Sequence, residues 1–240
     1  MSKNETAANG RQSKVVGARS LVEAAYATIR HDILNGELTP GSKLRFEMLR
    51  ERYGFGASTL REALTRLVGD ALVTSEEQRG FRVAEISLED FADLTRARKI
   101  IEVEALRQSI LFGDDAWEGA LVGAFHRLSK VEEKLSDGSP ALRDDFEERN
   151  RDFHFTLIAA CPSRWLKHMH GILFQQSERY RRISLATRSD ATPRDVHAEH
   201  KAVLDAALAR DVDLACRLEG EHIDKTLEVL SHTLPKNATA

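Results

Sequence analysis

Apolar residues recur at every fourth position between Leu21 and Asn35, at Ala25, Ile29 and Ile33, which draws one stripe along a helix. The stretch "NGELTPGSKL" then stops that helix with Gly36, Pro40 and Gly41. "RFEMLRERYG" predicts a short second helix ending at Gly54. After three residues "STLREALTRLVGDAL" predicts a third, with Ser58 as N-cap and Leu60, Ala63, Leu64 and Leu67 turned inward. Past it the period becomes alternating: "LVTSE" and "GFRVAEI" read as strands, with "EQRG" as the hairpin tip. Two helices joined by a short Gly-containing turn and followed by a hairpin predict a winged helix-turn-helix.

Everything beyond Ile86 reads as helix. "SLEDFADLTRARKIIEVEALRQSIL" opens with a Ser87 cap and with Glu89 and Asp90 in its first turn. Leu94, Arg98, Ile101, Glu102 and Ala105 fall on one face of it. A charged pair among inward apolar residues is costly unless it is satisfied, so Arg98 bridges Glu102 at i, i+4, holds a carboxylate ligand, or does each in a different ligand state. Three later helices each turn a histidine inward. Asn150, Phe153, His154 and Leu157 share one face, in a helix expected to end at Pro162. His200 lies with Val203, Leu204 and Ala207, and His222 with Ala215 and Leu218. A buried imidazole needs partners for its ring nitrogens, and one divalent metal, zinc being the natural choice, would serve all three. His126, His168, His170, His197 and His232 have no comparable setting and are expected at the surface. "EGEH" has the Glu-x-x-His spacing of di-iron bundles, but such a site needs a second copy and there is none. The predicted fold class is mainly α: an N-terminal winged helix-turn-helix and a C-terminal all-helical bundle.

Composition narrows this picture. A chain of 240 residues, 42% hydrophobic, can bury two modest cores. The expected division is a flexible tail over 1–19, a winged helix-turn-helix over 20–87, a helical effector-binding and dimerisation domain over 88–230, and a tail over 231–240. Residues 1–86 hold 13 Lys and Arg against 11 Asp and Glu, the remainder 22 against 27, so a basic head precedes an acidic body. Two cysteines, Cys161 and Cys216, a polar first 20 residues, and no apolar run near the ~18 needed for a membrane span point to a cytoplasmic protein with no membrane contact.

A winged helix-turn-helix presents its second helix to the major groove. The outward residues Ser58, Thr59 and Arg61 would therefore meet phosphates and base edges of double-stranded operator DNA. Arg61 is the base reader: a guanidinium bidentate to guanine gives about 1–3 kcal/mol of discrimination. Gly80 allows the tight turn of the wing, and Arg79 and Arg82 flank it where the minor groove or backbone would lie.

The segments "ILNGELTPGSKL", "LREAL" and "RGFRVAEIS" resemble the N-terminal domain of GntR-family bacterial transcription regulators. "RARKIIEVEAL", "NRDFHFTLIAAC", "EHKAVLDAALARDVDLA" and "EHI" resemble the helical FCD effector domain of that family's FadR branch, and the two together cover residues 20–228. The chain departs from the family's Ser-Arg-Thr-Pro run, so a DNA-contacting arginine is missing at Ala57, while Arg45 or Arg52 would supply backbone contacts. In metal-containing FCD domains one Asp and three His bind the ion, and those positions fall on Asn150, His154, His200 and His222. Asn is uncharged and neutralises a dication less well than Asp. The resemblance also implies a small organic acid beside the metal, with Arg98 as its counterion. The stretches "RYGFGASTLREAL" and "ACPSRWL" are closest in appearance to glutarate-responsive, carbon-starvation-linked members of the branch.

The expected function is that of a homodimeric DNA-binding repressor under carboxylate control, not an enzyme. The alternatives are a regulator whose helical domain is a metal-free dimerisation module and a metal-dependent hydrolase with a DNA-binding head, since imidazoles around an ion could activate water.

Overall fold

A computed structural model of the chain describes residues 5–76, 80–134, 140–186 and 194–233. The chain divides into two compact units, 1–86 and 87–240.

The first unit contains α1 (Glu5–Leu34), α2 (Phe46–Tyr53), α3 (Ala57–Gly69), β1 (Val73–Glu76) and β2 (Gly80–Val83). Its core is the set the periodicity picks out, Ala25, Ile29 and Ile33 from α1 and Leu60, Ala63, Leu64 and Leu67 from α3, closed by Leu49, Val73 and Val83. Gly54 ends α2 in the left-handed region, φ +72°, and donates its N–H to the Arg50 carbonyl, a conformation that suits glycine. The strands pair antiparallel with Val73 opposite Val83 and Glu76 opposite Gly80. A bridge from Lys43 to Arg82 and the bond from Leu44 N–H to the Phe81 carbonyl, 2.9 Å, fasten the loop after α1 to the hairpin.

Two expectations change here. The cap of α3 is Gly56, two residues before Ser58, and no side chain caps it. Ser58 lies inside the first turn, because Ala57 continues the helix backwards at no conformational cost. The stretch 5–19, expected as part of a flexible tail, belongs to α1, being made largely of residues compatible with a helix.

The second unit contains α4 (Leu88–Phe112), α5 (Asp115–Glu132), α6 (Pro140–Leu157), α7 (Arg164–Gln176), α8 (Glu178–Ala186), α9 (Val196–Leu208) and α10 (Val212–Thr233). Short polar residues start five of these helices: Ser87, Asp114, Ser163, Asp195 and Asp211 each accept a first-turn N–H. Leu106, Leu121, Leu128, Phe153, Leu157, Val203 and Ala207 form the centre of the apolar core. α6 stops at Leu157, before Pro162, and the Trp117 indole N–H takes the Thr156 carbonyl at 2.9 Å. The helical fold class expected of both units is what the chain adopts. Among the described residues no helix is long and apolar enough to cross a membrane.

Candidate functional site

In the first unit, Ser58 and Arg61 are exposed on the opening turns of α3, and Thr59 is half-buried beside them. The Arg61 guanidinium lies 5.1 Å from the centre of the Phe46 ring, and Phe46 meets Phe81 edge to face at 6.1 Å. A stack of three side chains thus ties α3, α2 and the hairpin together, and holds Arg61 at its outer end. Arg45 is exposed at the cap position of α2. Arg52 is engaged within the unit: it donates to Asp32 at 2.6 Å and Glu37 at 3.0 Å. It braces α2 against α1. Arg82 donates to the Gly41 carbonyl at 3.1 Å, so it too has a structural tie. Gly80 sits at φ +87° with open space where a Cβ would be, and Arg79 lies outside the described residues.

In the second unit the three predicted histidines come together from α6, α9 and α10. His154, His200 and His222 are buried, and each offers a nitrogen within 4.8 Å of the others'. Carboxylates stand behind them. His200 Nδ1–H donates to Glu132 Oε1 at 2.6 Å and His222 Nδ1–H to Glu199 Oε2 at 2.8 Å, while Glu219 Oε1 lies 3.3 Å from His154 Nδ1. With Nδ1 fastened in two of the rings, Nε2 is the nitrogen left to ligate, and the buried Nε2 of His200 has no hydrogen-bond partner. Burial, reinforced by His200, holds His154 well below the ordinary imidazole value, and burial pushes His222 down to about 3 against the pull of Glu199. Burial raises the Glu199 carboxyl, but bonds from His222 and Arg194 outweigh it and hold the group ionised below the usual range. Imidazoles held neutral at His154 and His222, with the Glu199 carboxylate held ionised behind His222, are in the protonation states that a divalent cation requires, so these residues fit a metal.

Asn150 is buried one turn before His154, as a fourth ligand would need to be. It lines a small cavity with His222, Phe146, Arg181, Arg194 and Thr226. Arg98 does not line this cavity. It is sealed against Glu102 by three bonds of 3.0–3.1 Å, and Glu102 also lies 3.4 Å from His170 Nε2. The salt bridge that the i, i+4 spacing suggested is therefore present. His170, expected at the surface, is buried between Glu102 and the Phe155 and Phe174 rings, because α7 turns that side toward α4.

Sequence reasoning missed Glu132, Glu199, Arg181 and Arg194. Glu132 reaches His200 across 68 residues, a relation no local period encodes. Glu219 carried a signal, its place three residues before His222, but that spacing pointed to a different type of centre.

Each of the two units matches a known family of sequences. Residues 21–83 match the model for bacterial regulatory proteins of the gntR family, and residues 93–225 match the FCD domain. The HTH-type transcriptional regulator BphR of Paraburkholderia xenovorans is 43% identical over 216 residues, covering 90% of this chain and 87% of BphR. The HTH-type transcriptional repressor GlaR of Escherichia coli is 34% identical over 214 residues, covering 88% of this chain and 96% of GlaR. Among solved structures, Escherichia coli McbR/YncC superposes with a TM-score of 0.70 at 20% identity, over 90% of this chain and 99% of that one.

Proposed function

The chain belongs to the GntR family of bacterial regulators, with an FCD domain following its DNA-binding head, and from that premise we propose that its hold on an operator is set by a small carboxylate bound beside a divalent metal. As its relatives indicate, it is a DNA-binding transcriptional regulator and not an enzyme. The finer reading is a repressor that acts as a homodimer, since two half-sites along a duplex call for two recognition helices. GlaR is named as a repressor, which supports that sign of regulation.

The observation that carries the metal reading is the buried, unpartnered Nε2 of His200 facing the nitrogens of His154 and His222. A polar atom buried without a partner costs about 1–3 kcal/mol, and an ion ligated there removes that cost. Zinc suits three imidazoles, with Asn150 as the neutral fourth ligand. A cation held there would supply positive charge to a carboxylate, and the adjoining cavity supplies Arg181, Arg194 and Thr226 around it. Arg98 joins them only if Glu102 yields its place.

On the DNA side, Ser58, Thr59 and Arg61 read the major groove, Arg45 contacts the backbone, and Gly80 and Arg82 belong to the wing, with Arg79, outside the described residues, as a further expected DNA contact; Arg52 contributes by bracing α2. A thermal-shift screen of organic acids, run with and without zinc, tests the sensor reading. A ligand at 100 times its Kd stabilises the folded state by about 2.7 kcal/mol. The acid that raises the melting temperature only with zinc present should also release the operator. A screen in which zinc changes neither property contradicts the reading.

A further inference from the structure

Resting on the metal reading above, we propose that Glu219 supplies the negative charge that the ligand set lacks, so that the ion is neutralised from behind its histidines. The four candidate ligands are three imidazoles and the Asn150 amide, and none of them carries a charge when it binds a cation. Glu219 lies on α10, is 2% exposed, and places Oε1 3.3 Å from His154 Nδ1. Its other oxygen, Oε2, is buried with no hydrogen-bond partner. The neighbouring carboxylate, Glu102, is taken up by three bonds from Arg98.

Charge around the histidines leads to the same place. Four carboxylates, Glu102, Glu132, Glu199 and Glu219, face two guanidiniums, Arg98 and Arg194, which leaves two negative charges over. Lys225 and His197 also approach this set, but each side chain is nearly half exposed and water screens it. Two uncompensated charges inside a protein are costly, and a dication bound by the histidines balances them. A carboxylate behind a ligating imidazole also fixes its orientation and makes it a better donor. Glu219 is thus a positioning and charge-balancing residue for His154, acting on the metal through the ring.

The test is zinc affinity of the full chain, measured by competition with a chelator of known strength. Glu219→Gln should weaken binding about 10–100-fold. Adding Asn150→Asp to Glu219→Gln should restore much of the loss, because the charge returns within the ligand set. Glu221→Gln, an exposed position on the same helix, should leave affinity unchanged. Glu219→Asp keeps the charge with a shorter reach and should fall between the parent and Glu219→Gln, and it serves if Glu219→Gln folds poorly. If the parent binds zinc and Glu219→Gln binds it as tightly, or if Glu219→Asp is the weaker of the two, the proposal is overturned and the metal reading stands. A parent that binds no zinc overturns both.

Discussion

Replacing Arg98 with Met keeps much of the side chain's length but removes the guanidinium, whose carbon lies 5.5 Å from the centre of the Phe174 ring. The change leaves Glu102, 1% exposed, without the partner that now makes three bonds to it. Removing one member of a buried ion pair costs about 3–5 kcal/mol. His170, 3.4 Å from Glu102, is held below its ordinary pKa by burial and is a poor substitute cation near neutral pH, so the figure stands with little discount. At about 2–4 °C per kcal/mol for a unit of this size, the melting temperature should drop by about 6–20 °C. Differential scanning fluorimetry in chelator at pH 7.5 measures it. Arg98→Met/Glu102→Leu should regain most of the loss, since a buried pair replaced by apolar groups is often neutral. A single variant that melts with the parent would refute this assignment of the energetics. The stabilised double variant is then the proper background for effector work. If Arg98 anchors the carboxylate, the double variant binds operator but does not release it, and an unchanged dose response assigns that role to Arg181 and Arg194.

Three further outcomes are expected. Arg61→Ala should weaken binding to the operator about 5–150-fold, corresponding to about 1–3 kcal/mol, and binding to random duplex far less, as fluorescence anisotropy can show; equal losses on every sequence would remove its base-reading role. Gly80→Val should weaken operator binding with little change in the second unit's melting, because φ +87° strains a β-branched residue even where space is open. The metal-free protein should lose stability as pH falls from about 6.5 toward 3, because His222, at about 3 when folded, and His154, also lowered, take up protons more readily once unfolded. A melting temperature that is flat or rises on acidification across that window would contradict the buried neutral imidazoles.

Much of the fold was legible because its elements are local. The four-residue spacing of Ala25, Ile29 and Ile33, the glycine ending α2 and the switch from helical to alternating period after α3 each need only a dozen residues of context. The three histidines were legible for the same reason, each marked by apolar neighbours at helical spacing. Their surroundings were not. Glu132 and Glu199 are acidic residues on amphipathic helices and look solvated until α9 and α10 bring imidazoles against them. His170 carries the same kind of mark, with Leu166, Leu173 and Phe174 at helical spacing, but Trp165, Met169 and Ile172 put apolar residues on the other side of α7 as well, so its pattern does not say which face is buried. Arg98 was recognised as a buried cation, but its distance from the cavity depends on how α4 packs, which periodicity cannot supply.

The most direct test of the central claim is the metal content of the purified chain and of its His200→Ala variant, measured by mass spectrometry of the elements after dialysis against trace zinc. About one zinc per chain is expected in the parent and a large loss in the variant, whose helices remain intact by circular dichroism. Equal zinc in both proteins, or none in the parent, would contradict it.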